Sequence, residues 1–246
     1  MTEPVVKPNV LVVGADMRSL GIHVVQAIKE SEWDFGKVTT AGISGEEWKM
    51  DLRRGPRVSE VLTKVQPDIV VCTVGVNHPV DITSGFLEVL MKNSFDANVT
   101  AVMNLLRHFV ASPLRPERVD MIKKFVAISS NSARLPRRNS VAYCASKAAL
   151  SMALRVAARE LAGRDVMVWG YEPGLLDGTP MTHKVLKVFY EKGVDVTQRG
   201  VAMHRMPGVP PEGLDPRDLA RLIVHDLATA GPAHNGLMIP FDAGEL

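Results

Sequence analysis

The chain has 246 residues, 46% hydrophobic and 23% charged, which suits an ordinary globular α/β domain and excludes extensive disorder. Lys and Arg number 29 against 27 Asp and Glu, so there is no electrostatic case for nucleic acid or an anionic membrane as partner. The two cysteines, Cys72 and Cys144, read as reduced thiols, and MTEPVVKPNV lacks the apolar core of a secretory signal. No apolar stretch is expected to reach the ~20 residues of a bilayer span, so the location expected is cytoplasmic.

Val10–Val13 is a β-branched run that ends at Gly14, and a helical pattern follows through Leu20–Lys29. Lys37–Ile43 and Trp48–Leu52 read as strands and Val58–Val65 as a helix. Asp68–Val74 is a continuous apolar run, as in a strand covered on both faces. A long helix is expected over about Gly85–Val110, broken near Asn93. Lys124–Ser130 is a strand, and Ala142–Ala162 is a helix stopped by Gly163. Val166–Tyr171 is a strand running into Glu172-Pro173-Gly174. Residues 177–214 are expected to be irregular and to form a substrate lid containing His183, Lys184 and His204. Asp215–Ala228 reads as a helix with Pro216 in its first turn, and Leu237–Pro240 as the last strand. This alternation argues for one α/β domain over 1–246. Its core would be a doubly wound parallel sheet of about seven strands with helices on both faces.

Three residues carry the chemistry. Tyr143 and Lys147 lie four apart in the alanine-rich helix, hence one turn apart on one face, and Ser130 ends the preceding strand. Tyr-x-x-x-Lys alone is weak, because roughly half of chains this long contain one by chance at average usage. A serine delivered from the neighbouring strand is a rarer context. An adjacent ammonium is expected to pull the phenol's pKa from ~10 toward neutrality, which suits proton transfer to a carbonyl oxygen.

At the other end, Gly14-Ala-Asp-Met-Arg-Ser-Leu-Gly21 joins the first strand to a helix N-terminus, a phosphate-binding arrangement. Asp51 can accept from an adenine amine, and Gly75 lets a backbone approach a ribose closely. Arg134, Arg137 and Arg138 lie between serine and tyrosine, either steering an anionic substrate or, more simply, in a solvated loop. No His/Cys/Asp/Glu cluster has metal-ligand spacing, so no metal is expected.

Taken together these pieces resemble the short-chain dehydrogenase/reductase family over nearly the whole length. They are Gly14…Gly21, Asp51-Leu52, Gly75, Asn98, Ser130, Tyr143-x-x-x-Lys147, Pro173-Gly174…Thr179 and Asp242-Ala-Gly244, with AxYxASKAAL the most specific. The resemblance implies a Rossmann fold and a small-molecule carbonyl or alcohol substrate. Tyr143 would be the general acid in reduction and the base in oxidation. Lys147 would lower its pKa and bind the nicotinamide ribose, and Ser130 would hold the substrate oxygen. Asn98 would keep a helix distortion and a proton-relaying water. Gly14, Arg18, Ser19, Leu20, Gly21, Asp51, Leu52, Thr73, Gly75, Tyr143, Lys147, Pro173, Gly174, Leu176 and Thr179 would contact the cofactor. In the family the helices at 85–110 and 142–162 pair across subunits, which implies a homotetramer or homodimer.

The chain departs from the family pattern in three places. The glycine turn is one residue longer, with Ser19 replacing the middle glycine, a serine also found in the enoyl-carrier-protein reductase branch. That hydroxyl either crowds the pyrophosphate or donates to it. Cys72-Thr73-Val74-Gly75 stands where the family has Asn-Asn-Ala-Gly, so the asparagine's sheet-stabilising role is lost or taken by Thr73. The Pro-Gly loop, PGLLDGT, is one residue longer than usual. The second strand ends without an acid until Glu46, and Arg18 precedes Ser19, so NADP(H) is expected over NAD(H). Against a carbonyl–alcohol oxidoreductase stands a nucleotide-binding sensor that has lost turnover. The altered turn motivates that alternative, and the intact Asn98, Ser130, Tyr143 and Lys147 oppose it.

Overall fold

The computed structural model describes residues 6–44, 47–118, 121–191 and 214–241. Seven parallel strands form one sheet in the order β3-β2-β1-β4-β5-β6-β7. They are β1 (Val10–Val13), β2 (Val38–Gly42), β3 (Trp48–Lys49), β4 (Ile69–Cys72), β5 (Lys123–Ile128), β6 (Val166–Pro173) and β7 (Met238–Phe241). The order reverses between β1 and β4, and an open sheet of this kind binds its ligand at the strand ends beside such a switch point. The doubly wound sheet expected from the alternation is therefore what the chain forms.

Strand alternation decides which helix covers which face. Leu11 and Val13 point with Val70 and Phe125 into a core shared with α2 (Gly55–Val65), α4 (Ala101–Ala111) and α5 (Val141–Glu160). Val10 and Val12 point the other way, with Val71, Val126 and Trp169, against α1 (Leu20–Glu30) and α7 (Pro216–Thr229). Central strands covered on both faces explain the unbroken apolar runs in the sequence.

Several expected boundaries change. The strand expected at Trp48–Leu52 is only two residues long, because Met50 and Leu52 turn inward to pack on α2 and α4. The helix expected over 85–110 is interrupted at Asp96–Thr100, not at Asn93. There a π-helical turn separates α3 (Leu87–Phe95) from α4. The segment 177–214 is not irregular throughout. It contains α6 (Pro180–Glu191), opened by Thr179, whose Oγ1 accepts from the Thr182 amide at 3.3 Å. The rest of the expected lid, 192–213 with His204, lies outside the described residues, as do Glu46 and Asp242-Ala-Gly244.

One exclusion drawn from the sequence is corrected. The 20-residue α5 is long and apolar enough, by length and composition, to cross a membrane. Half of that stretch is buried inside the protein, because α5 is the core helix that carries Tyr143 and Lys147. Both cysteines are free, and burial pushes the Cys72 thiol up to about 11, so it is an unreactive packing group.

Candidate active site

A cavity of about 650 Å³ runs along the C-terminal ends of β1, β4, β5 and β6. One end is walled by Gly14, Ser19, Leu20, Asp51, Leu52 and Thr73. The other is walled by Gly75, Ser130, Tyr143, Lys147, Pro173, Gly174, Leu176 and Thr179. Of the site residues expected from sequence, Asn98, Arg18 and Gly21 are absent from this wall. Asn98 is fully buried behind it, and Arg18 is exposed beside the turn with φ +65°.

The glycine turn closes on itself. Gly14 has φ +88°, and a Cβ at Gly21 would sit 2.5 Å from the Gly14 carbonyl oxygen, so the helix can approach the turn only with glycine there. Ser19 Oγ donates to the Gly14 carbonyl at 2.9 Å and does not cap α1. The hydroxyl thus bonds the turn's own backbone and tightens the longer turn. The first α1 amides have no side-chain cap and no acidic residue beside them, so they stay open to an anion. These features fit a dinucleotide pyrophosphate.

Thr73, where the family has asparagine, bonds the neighbouring strand end. Its Oγ1 donates to the Val13 carbonyl at 3.0 Å and the Gly14 carbonyl at 2.9 Å, joining β4 to the end of β1. Asp51 is clamped by Arg53, whose Nε and Nη2 donate to its two oxygens at 2.9 and 2.8 Å. The Arg53 hydrogen bonds hold its carboxyl below the usual carboxylate range. Arg53 also lines the cavity, a residue that sequence reasoning passed over although it sits beside Asp51-Leu52.

Asn98 lies in the π turn. Its Oδ1 accepts from the Val76 amide at 2.7 Å, and its Nδ2 donates to the Val76 carbonyl and Ser146 Oγ, both at 2.9 Å. It therefore ties α3–α4 to the loop after β4 and to α5. Ser146, which completes this tie, was not singled out from sequence. A small polar residue in an alanine-rich helix carries no signal of its own.

Tyr143 and Ser130 are both buried, and their hydroxyls are hydrogen-bonded. Ser130 Oγ also accepts from the Ser132 amide at 3.1 Å, which fixes the serine rotamer. Lys147 Nζ donates to the Ile128 carbonyl at 2.8 Å and lies 5.8 Å from the Tyr143 ring centroid. A Cβ on Gly75 would come within 3.2 Å of Nζ, so the missing side chain keeps that ammonium facing the cavity.

The electrostatics correct one expectation. Burial raises the Tyr143 pKa; the Ser130 hydrogen bond and the Arg137 charge oppose this without reversing it. The phenol is therefore protonated across the neutral range. Burial also pushes Lys147 down to about 8. A depressed lysine means that the unfolded chain binds more protons between pH 8 and the ordinary 10.5, so this site's contribution to stability rises with pH in that window. The stability of Lys147→Met relative to the parent should fall as pH rises through it, as read from urea midpoints.

The arginine loop is not simply solvated. Arg134 Nε pairs with the buried Glu172 at 2.5 Å, and Arg137 Nη2 donates to Asn131 Oδ1 at 2.7 Å from the cavity wall. Arg138 is exposed. Among the described residues no group of His, Cys, Asp and Glu is placed to hold a metal ion.

A family model described as short chain dehydrogenase matches residues 35–188, which include Asn98, Ser130, Tyr143 and Lys147. The chain belongs to the short chain dehydrogenase family. A family relative, the short chain dehydrogenase/reductase nsrO of Aspergillus novofumigatus, is 30% identical over 123 residues. That stretch is 48% of this chain and 41% of nsrO, so the chain spans less than half of this relative's length. Among solved structures, a short chain dehydrogenase family protein of Francisella tularensis superposes with a TM-score of 0.76 at 21% identity, covering 97% of this chain and 98% of that one. A Burkholderia cenocepacia short chain dehydrogenase in complex with NADP gives 0.72 at 18% identity, with 96% and 88% covered. A Brucella melitensis 3-oxoacyl-[acyl-carrier protein] reductase in complex with NAD gives 0.74 at 20% identity, with 97% of both chains covered. At these identities the likeness speaks to the fold.

Proposed function

We propose that this short-chain dehydrogenase interconverts a carbonyl and a secondary alcohol with NADP(H) as the preferred dinucleotide. The observation that carries the reading is the Ser130–Tyr143–Lys147 cluster, buried at the same cavity that begins at the open N-terminus of α1. Gly14, Leu20 and Gly21 would hold the pyrophosphate, Lys147 the nicotinamide ribose, and Pro173, Gly174, Leu176 and Thr179 the nicotinamide. When bound, the reduced nicotinamide supplies the hydride to the carbonyl carbon.

The chain's own residues handle the proton. Ser130 and Tyr143 hydrogen-bond the carbonyl oxygen, and Tyr143 passes its hydroxyl proton to that oxygen as the carbon is reduced. A phenol kept protonated by burial is the form this direction needs. Lys147 faces the resulting phenolate with a charge that steadies it. The tightly held Asn98 keeps the loop after β4 at the cavity wall. A sensor without turnover is opposed by the survival of all four residues in hydrogen-bonded geometry.

The preference for NADP(H) is supported by the neutral end of β2, Ala41-Gly42-Ile43-Ser44, and by two guanidiniums near the adenosine end, Arg18 and Arg53. Parallel fluorescence titrations with NADPH and NADH test it. NADPH should bind tighter, and Arg18→Ala should remove about tenfold of that margin, the scale of one charge-assisted contact. Equal affinities in the parent would refute the preference. Exposed Val89 on α3 with Met152 and Val156 on α5 supports pairing of these helices in a homodimer or homotetramer.

A further inference from the structure

A buried chain of polar groups behind the active site has no part in the proton chemistry. Glu172, 1% exposed, is an acidic residue at the end of β6, next to Pro173-Gly174. Its Oε1 accepts from Ser151 Oγ at 2.8 Å and its Oε2 from Arg134 Nε at 2.5 Å. Ser151 Oγ in turn shares a hydrogen bond with Ser129 Oγ at 2.7 Å. The single Ser129 hydroxyl proton is shared between Ser151 Oγ and the Lys147 backbone carbonyl, 3.1 Å from Ser129 Oγ.

The chain therefore joins three of the elements that carry site residues at this end of the cavity. Ser129 and Ser130 directly follow β5, Lys147 and Ser151 are one turn apart on α5, and Glu172 is the next-to-last residue of β6. A buried ion pair is a weak source of net stability, since well-packed apolar groups often do as well. Such groups do fix one geometry, because each partner left without its hydrogen bond is costly.

We propose that Glu172 is a positioning residue that sets the spacing between α5 and the ends of β5 and β6, and thereby the grip of Lys147 and Pro173-Gly174 on the dinucleotide. This rests on the dehydrogenase reading for its catalytic consequence, while its effect on dinucleotide binding is independent of any carbonyl substrate. Glu172→Gln keeps an acceptor for Ser151 and removes the charge that holds Arg134. Ser151→Ala removes the middle link alone.

The test measures dinucleotide Kd by fluorescence, kcat on a reducible ketone, and melting temperature, for both variants and their combination. Glu172→Gln should weaken binding about tenfold and lower kcat about tenfold, the scale expected when reacting groups shift by a fraction of an ångström. Ser151→Ala should move both in the same direction. The double variant should be no worse than the weaker single, because the links act as one unit. A Glu172→Gln protein that melts lower while Kd and kcat hold within about twofold would place the residue in stability alone and overturn the proposal. Effects that simply multiply in the double variant would overturn it as well. A parent protein that binds dinucleotide but reduces no carbonyl would sink the dehydrogenase reading and leave the Glu172 comparison of Kd standing.

Discussion

Tyr143→Phe should lower kcat for carbonyl reduction by about 10²–10⁴-fold, the range in which a positioned general acid contributes. The substitution removes one hydroxyl and keeps the ring, which is 8% exposed and packed in the protein. Folding should therefore survive, with dinucleotide affinity within about twofold of the parent. Lys147 keeps its bond to the Ile128 carbonyl in the variant, because that contact does not involve the phenol. Reduction that persists unchanged in the Phe variant would remove Tyr143 from the mechanism. Loss of dinucleotide binding as well would mean that the tyrosine is part of the cofactor wall first and an acid second. Steady-state kinetics with a fluorescence titration on the same preparation separates these results.

The second large effect is expected at Asn98. Asn98→Ala takes a partner from the Val76 amide and carbonyl and from Ser146 Oγ, which still donates to the Tyr143 carbonyl. An unsatisfied buried group costs about 1–3 kcal/mol, and partial relaxation makes the three less than additive, so a loss of about 2–4 kcal/mol is expected. Denaturant midpoints measure it. Activity should fall further than stability alone explains, because Val76 and Gly75 line the cavity beside Lys147. Asn98→Ala with an unchanged midpoint would show that the amide contributes no net binding energy to the turn.

How much of this was legible in the sequence differs by kind of feature. The strands β1, β4 and β5 and the helix α5 were readable because burial on both faces writes continuous apolar runs, and a long core helix writes its own period. The Ser130–Tyr143–Lys147 cluster was readable because its members sit at fixed spacing just past a strand end and on one helix turn. The π turn was misplaced by several residues. What holds it open is a side chain bonded across to Val76 and Ser146, and a distant partner leaves no local pattern. The fates of Ser19 and Thr73 were open for the same reason: both hydroxyls are settled by the Gly14 carbonyl, which only the folded turn brings near. Glu172 was invisible as a network member, since an acid before Pro-Gly reads as an ordinary loop entry.

The π turn at Asp96–Thr100 also sets the phase of everything on either side of it. A π turn takes in one residue more than an α turn, and each residue is worth about 100° of rotation. In an uninterrupted α-helix Ala101 would lie about 80° around the axis from Asn93; the extra residue brings it back to about 20° on the other side. Asn93, Asp96, Ala97 and Ala101 thus line one cavity wall from a narrow arc. Val102, Leu105, Leu106 and Phe109 of α4 meanwhile stay turned into the core. Removing any one residue from this stretch would rotate α3 against α4 and take either the wall or the core out of register. The segment can exchange side chains far more readily than it can change its length.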